Sequence, residues 1–128
     1  WLSPAAWLVL CGAVMVLRMA ITATAADVVG LLVLAQALHA LTFAAHHSMC
    51  ITLLSQYFPG RLRGRRQALY TVLAYGFPGV VGGLLGGALS ERFGLASVFW
   101  LALLSSLLAT ACAWRVMHQA QPSSQAVL

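Results

Sequence analysis

The side chains best suited to binding or proton transfer in this sequence are an arginine and a group of histidines set among apolar residues. Arg18 lies within one long apolar run, and His39 lies within the next. A guanidinium binds anions and polar groups, and an imidazole takes up or releases a proton near neutral pH. The pair therefore predicts a site for an anion or polar substrate, or a step of proton transfer. A structural arginine bonded to backbone carbonyls is the alternative.

Other polar side chains share one face of the helix that carries His39. Successive residues of an α-helix are about 100° apart, which places several polar residues on one face, with His47 at its edge. It holds Gln36, His39, Thr42 and His46. A polar stripe on a helix of Leu, Ala and Val is typical of a substrate or proton pathway through a membrane. Hydrogen bonding between packed helices is the alternative explanation.

The composition places these side chains in a lipid environment. Of the 128 residues, 62% are apolar, seven are basic and two are acidic. The mean hydropathy is +0.92. A water-soluble domain carries about a quarter charged residues, because its surface must be solvated. The composition therefore excludes a soluble globular domain and a disordered chain, and three cysteines are too few for a disulfide-rich scaffold.

The apolar runs predict an all-α, polytopic membrane protein with four transmembrane helices. A bilayer core of about 30 Å requires about 20 apolar residues in a helix, and the chain holds four runs of that length. We expect the spans at about 5–26, 28–57, 68–89 and 95–114, with a loop at 58–67 and a tail at 115–128.

The arginines predict the orientation of the chain. One side of the expected bilayer holds five of them, at Arg61, Arg63, Arg65, Arg66 and Arg115. The other side holds Asp27, Glu91 and Arg92. Basic loops stay in the cytoplasm, so we expect the loop at 58–67 and both chain ends there. The loop is short and lacks interleaved aromatic residues, which favours contact with anionic lipid over nucleic acid.

The orientation also predicts that Arg18 and His39 meet. The first and second spans run in opposite directions, and Arg18 lies just past the middle of its span. His39 lies slightly before the middle of its own span. Both residues are therefore expected at a similar depth, towards the outer face.

The third span is rich in glycine. Two ladders with a spacing of four residues share this helix: Gly79, Gly83 and Gly87, and Gly82 with Gly86. Such ladders let a neighbouring backbone approach closely. Pro78, close to Gly76, removes one helix hydrogen bond and predicts a bend. Gating motion is one role for this segment, although packing alone accounts for most glycine ladders.

The sequence predicts neither a metal site, nor a haem, nor an enzyme. His46 and Cys50 have helical spacing, but three of the four histidines lie on one helix, whereas bis-histidine haem requires facing helices. A pair of catalytic carboxylates, a nucleophile with its base and a phosphate-binding loop are all lacking. We therefore expect no cofactor, with the proton as the coupling ion of any transport.

Three stretches resemble one branch of a known transporter family. They are QALHALTF at 36–43, FPGR at 58–61 and RGRRQALY at 63–70, followed by the glycine-rich helix. Together they resemble helices nine to twelve of major facilitator superfamily transporters, in the branch of the 3-phenylpropionic acid transporter, lactose permease and the nucleoside:proton symporters. Lactose permease has an arginine in its ninth helix and a histidine about twenty residues later, which Arg18 and His39 match in type and spacing.

This resemblance implies a C-terminal fragment of a proton symporter in a bacterial inner membrane. The implied substrate is a small organic anion such as an aromatic carboxylate, or a related sugar or nucleoside, and the implied partners are the lipid bilayer and the N-terminal helices of the same transporter. Lactose permease has a lysine and a glutamate where this chain has Gln36 and Thr42. Proton coupling and sugar specificity of the lactose permease kind are therefore not carried over.

Two other classes of protein compete with this interpretation. One is a non-transporting membrane assembly subunit held together by the glycine ladders. The other is a four-helix multidrug exporter, which requires a membrane-embedded glutamate in its first helix, where this chain offers Arg18.

Overall fold

The computed structural model describes residues 2–58 and 60–120. These residues are helical apart from short connections, and no strand occurs among them. The elements are α1 (Pro4–Thr24), α2 (Val29–Tyr57), α3 (Arg63–Thr71), a π-helical turn (Val72–Gly76), α4 (Phe77–Phe93) and α5 (Leu95–Ala120). Four helices are long and apolar enough to cross a membrane when α3, the π-helical turn and α4 count as one span, Arg63–Phe93. The expected all-α, polytopic architecture is confirmed.

Local sequence explains where the first helix begins. The Ser3 hydroxyl accepts a hydrogen bond from the backbone N–H of Ala6 at 3.2 Å, and Pro4 occupies the first turn. A serine cap satisfies a free amide, and proline has no amide to satisfy there.

Two helices extend further than the hydropathy predicts. The segment Arg63–Gln67, expected in the loop, forms the first part of α3, and α5 continues past residue 114 to Ala120. Arginine and glutamine are good helix formers, so the helix extends beyond its apolar section. Hydropathy marks the section suited to lipid and not the end of the helix. Residues 121–128 of the expected tail, and Pro59, lie outside the described residues.

The third span contains a π-helical turn immediately before its proline. The N–H of Phe77 bonds to the carbonyl of Val72, five residues earlier, instead of four. Pro78 has no N–H to continue the ordinary ladder, and a local widening of the helix accommodates that loss. The irregularity expected near Gly76 and Pro78 is thus present as a π-helical turn.

The helices form an open arc in the order α2, α1, α5, α4. Helix α1 packs against both α2 and α5, and α4 packs against α5. At the other side α2 approaches the third span at α3 and the π-helical turn, whereas within the described residues its backbone does not contact α4. The arc therefore leaves a space between α2 and α4.

Very little of the surface is buried within the chain. The buried residues are Cys11, Met19, Thr22, Ala35 and Thr42. Large apolar side chains lie exposed along every span, among them Val29 at 72% and Leu84 at 73%. Helices with satisfied backbones and exposed apolar side chains suit a lipid solvent. This surface indicates contact with the bilayer.

Helices α1 and α5 approach one another closely at Gly12. A Cβ atom built on Gly12 would stand 2.5 Å from the Thr110 Oγ1 atom and 3.2 Å from its Cβ. The Thr110 hydroxyl donates to the carbonyl of Ser106 at 2.7 Å, which fixes the side chain against the glycine. Glycine at this position lets the two helices approach.

Gly94 makes the connection between α4 and α5, and we expect Gly94→Ala to destabilise the protein. Its φ of +81° with ψ of 163° belongs to a region that only glycine adopts readily. Enforcing it on alanine costs about 1–3 kcal/mol. A denaturant titration of the purified protein would measure this loss. Gly64→Ala is the matched control, since Gly64 lies within α3 with open space around it, and it should be neutral or slightly stabilising. Equal stability of Gly94→Ala and wild type would contradict the prediction.

Candidate functional site

Arg18 and His39 contact one another across the interface between α1 and α2. The Arg18 Nη1 atom lies 2.9 Å from the His39 Nδ1 atom. The packing of α1 against α2 brings them together, and the Thr22 hydroxyl bonds to the Arg18 carbonyl at 2.9 Å one turn further along α1. Arg18 and His39, which the sequence predicts at similar depth in the bilayer, thus lie within hydrogen-bond distance.

The chemistry of this contact determines the protonation of His39. A guanidinium has only N–H donors, so Nδ1 must accept the hydrogen bond. The imidazole is therefore neutral in this arrangement, with its proton on Nε2. A proton on Nδ1 and the hydrogen bond from Arg18 exclude each other. Protonation of His39 Nδ1 on α2 is consequently incompatible with the hydrogen bond from Arg18 on α1.

The rest of the half-buried Arg18 side chain makes few polar contacts among the described residues. Its Nη1 also lies 3.3 Å from the Met15 sulfur, and its Nε is buried without a hydrogen-bond partner among the described residues. A buried donor without an acceptor is unfavourable by about 1–3 kcal/mol, more for a charged group. The site therefore retains the ability to accept a further polar or anionic group.

A cavity of about 730 Å³ occupies the space enclosed by the arc of helices. All four spans line it, with His39, Thr42 and His46 of α2 on one side and Pro78 and Gly82 on the other. His39 lines the cavity whereas Arg18 is not among the lining residues. The imidazole therefore connects Arg18 to the cavity wall, and its Nε2–H is the ring donor that the contact with Arg18 leaves free.

Most hydroxyl groups in the cavity wall donate to their own helix. Thr42 donates to the carbonyl of Leu38 at 2.9 Å. Ser105 donates to Leu101 at 2.9 Å. Ser106 likewise donates within α5, to Leu103 at 2.8 Å. These protons are not free for a ligand, which leaves the imidazoles of His39 and His46 as the main donors in a largely apolar wall.

The polar stripe of α2 is divided between different environments. Thr42 is buried, His46 is exposed within the cavity wall, and Gln36 is exposed outside it. The Cys50 sulfur lies 3.8 Å from His46 Nε2 and 3.9 Å from its Nδ1, a weak contact. Among the described residues no group of three or more metal-binding side chains lies together.

An aromatic cluster that the sequence analysis overlooked connects α2 to the third span. It consists of Phe43, His47, Tyr70 and Tyr75. The His47 Nδ1 atom lies 3.1 Å from the Tyr75 hydroxyl, which lies 3.5 Å from the Tyr70 hydroxyl. Phe43 and Tyr75 also line the cavity, so the cluster forms one of its boundaries.

The π-helical turn explains why this cluster is hard to foresee. Residues five positions apart point about 140° away from each other on a regular α-helix. The wider turn brings Tyr70 and Tyr75 to a ring separation of 6.0 Å. Pro78, three residues after Tyr75, was the available signal that the regular spacing would fail there.

The glycine ladders make little contact within this chain. A Cβ on Gly76, Gly79, Gly82, Gly83 or Gly87 would meet nothing within 4 Å, and one on Gly86 would meet Val98 Cγ1 at 3.6 Å. The reason is that, within the part of the chain that the structure describes, α4 contacts α5 and the π-helical turn alone. Among the described residues a close helix approach lies at Gly12, and the packing role of the ladders stays a prediction.

The loop arginines gather at one end of the bundle, where α2 ends and α3 begins. Arg61, Arg63 and Arg65 are exposed, whereas Arg66 is half-buried. The guanidinium carbon of Arg66 lies 4.6 Å from the centre of the Phe58 ring. Among the described residues, none of the four forms an ion pair with an acidic side chain, because Asp27 and Glu91 lie at the opposite ends of their spans.

These features together define a polytopic membrane protein with a ligand-sized cavity and a half-buried arginine that contacts a histidine across two helices. The chain matches the MFS_1 like family over residues 2–118. It therefore belongs to that family, which indicates a transporter of the major facilitator type. Comparisons with curated proteins and with solved structures found no match.

Proposed function

We propose that these four spans are the C-terminal part of a proton-coupled major facilitator transporter for a small organic anion, such as an aromatic carboxylate. The observation that carries the proposal is the 2.9 Å contact between Arg18 and His39 beside the cavity. The motifs at 36–43, 58–61 and 63–70 support the position in the chain and the branch. The four arginines at one end support a bacterial inner membrane, with that end in the cytoplasm.

In this proposal His39 binds the anion and Arg18 orients His39. The Nε2–H donates to the anionic group, and the positive charge of Arg18 behind the ring strengthens that donor. The apolar wall, including Phe43 and Leu101, accommodates the body of the substrate. A sugar would need many more free donors than this wall offers, so the cavity favours an anion with an apolar body.

Protonation of His39 couples the proton to movement. When a proton binds to Nδ1, the hydrogen bond from Arg18 is lost and two positive charges face each other. The contact between α1 and α2 then favours separation at this point. Among the described residues, the other titratable groups in the cavity wall are Cys11 of α1, His46 of α2 and Tyr75 of the third span, and α5 contributes none. Alternating access in this fold moves two halves of the transporter around a central site.

Two amide variants of His39 test this assignment. An asparagine carbonyl can replace Nδ1 as the acceptor for Arg18, whereas a glutamine amide can replace the Nε2–H donor. In proteoliposomes containing the full-length gene product, we expect His39→Gln to exchange radiolabelled 3-phenylpropionate across the membrane without stimulation by an inward proton gradient. We expect His39→Asn to lose both exchange and gradient-driven uptake.

Lactose and uridine serve as the comparison substrates. Uptake of either, with no uptake of 3-phenylpropionate, would overturn the substrate class. Wild-type uptake and wild-type pH dependence in both amide variants would overturn the site. If the wild-type protein takes up none of the three, a non-transporting assembly subunit becomes the better interpretation.

A further inference from the structure

We propose that the four arginines at the junction of α2 and α3 form a binding site for the phosphodiester headgroup of an anionic phospholipid. We call Arg61, Arg63, Arg65 and Arg66 the arginine patch. They occupy six consecutive positions, and the last three lie in the first turn of α3. Guanidinium groups bind phosphate oxygens through paired N–H donors, so the patch is suited to phosphate chemistry.

The charge of the patch is not neutralised by the acidic side chains of the chain. Only two acidic side chains exist, Asp27 before α2 and Glu91 near the end of α4. Helix α2 has 29 residues, which places Asp27 about 40 Å away. That distance is several times the Debye length of about 8 Å at physiological salt, so Asp27 does not screen the arginines.

The local helix geometry adds to the positive potential. The first turn of α3 contains no acidic residue, and its cap residue Leu62 makes no side-chain hydrogen bond. The positive end of the helix dipole therefore lies among positive side chains, which is unfavourable until an anion binds there. An anionic partner bound at this place would offset the repulsion among the four arginines and the helix end.

Aromatic and apolar side chains place the patch at the level of the lipid headgroups. Tyr57 is 70% exposed, and the half-exposed Phe58 and Leu62 adjoin the same junction. Exposed aromatic residues at the ends of transmembrane helices favour the headgroup layer. Arg66 lies over the Phe58 ring at 4.6 Å, which restrains its guanidinium at that level. A membrane-bound phosphate is thus favoured over a soluble nucleic acid.

The test is native mass spectrometry of the full-length gene product released from vesicles of phosphatidylcholine mixed with phosphatidylglycerol. We expect the wild type to retain phosphatidylglycerol in preference to phosphatidylcholine. Each arginine near an anionic surface contributes about 1 kcal/mol, so the double variant Arg63→Gln/Arg65→Gln should reduce that preference by about tenfold or more. Arg92→Gln removes the same type of charge at the opposite end and should leave the preference unchanged.

Measurements on the wild-type protein at raised ionic strength and with competing ligands distinguish phospholipid binding from other binding at the arginine patch. Raised ionic strength should weaken the retention of phosphatidylglycerol, because the attraction is electrostatic. Equal retention by the double variant and wild type would overturn the proposal. So would displacement of the lipid by inorganic phosphate at low concentration, which would indicate a soluble phosphate site, or tighter binding of a short RNA than of the lipid.

Discussion

Replacing Arg18 by methionine is expected to reduce the kcat/KM of uptake by about 10- to 100-fold while leaving the protein as stable as wild type, or more so. The lost hydrogen bond involves a charged donor, and such bonds are worth about 1.5–3 kcal/mol. Without Arg18, the His39 proton is free to move to Nδ1, and the cavity loses its oriented Nε2–H donor. Initial rates in proteoliposomes would measure the change.

Stability distinguishes this functional role from a structural one. An arginine near the bilayer centre costs about 2.5–3.5 kcal/mol on insertion scales, so its removal should not harm folding if the residue is kept for transport. An arginine that holds the helices together would instead destabilise the protein when removed. Arg18→Lys keeps the charge but not the planar guanidinium, and should retain part of the activity.

The matched control for Arg18→Met is Arg92→Met. Arg92 is exposed at the far end of α4, away from the cavity, and the same substitution there should leave uptake unchanged. If Arg18→Met transported at the wild-type rate, or if it lost activity only because the protein unfolded, the assigned role of Arg18 would be wrong.

Gly12→Ala is expected to destabilise the protein, because the added methyl group would clash with Thr110 of α5. The new Cβ would stand 2.5 Å from Thr110 Oγ1, 3.2 Å from its Cβ and 3.3 Å from its Cγ2, so three atoms of this side chain would crowd it. Overpacking of this kind costs about 1–3 kcal/mol. The free energy of unfolding, measured by titration with a denaturing detergent, would report the loss.

Two further variants show whether the clash at Thr110 is the cause. Thr110→Ala removes the nearest atom and should recover part of the stability in the Gly12→Ala background. Gly30→Ala adds the same methyl group at a position with nothing within 4 Å, and should be neutral or stabilising. Equal stability of the Gly12 and Gly30 variants would contradict close packing between α1 and α5.

The sequence predicts the membrane architecture and the meeting of Arg18 with His39 because both follow from simple geometry. Spans of known length run in opposite directions, so residues near the middle of adjacent spans share a depth. Hydropathy predicts a loop for the first residues of α3 because it measures suitability for lipid, whereas the arginines there are also good helix formers.

The rest of the site depends on features that periodicity does not contain. Tyr70 and Tyr75 meet because a π-helical turn shifts the helical register, and the regular spacing of an α-helix separates them. That His39 lines the cavity and Arg18 does not depends on side-chain packing, which periodicity does not predict. The spacing of glycines indicates where a backbone can approach, but not which neighbouring helix is present. The close approach at Gly12, which belongs to no ladder, therefore does not follow from spacing.

A double-mutant cycle on Arg18 and His39 tests the central claim most directly. Uptake kcat/KM is measured for wild type, Arg18→Met, His39→Ala and the double variant in proteoliposomes of the full-length gene product. If His39 acts only when Arg18 orients it, the double variant should be no worse than the worse single variant, with a coupling energy of at least about 1.4 kcal/mol. If the fold-loss of kcat/KM in the double variant equals the product of the two single-variant losses, the residues act independently, and the account is contradicted.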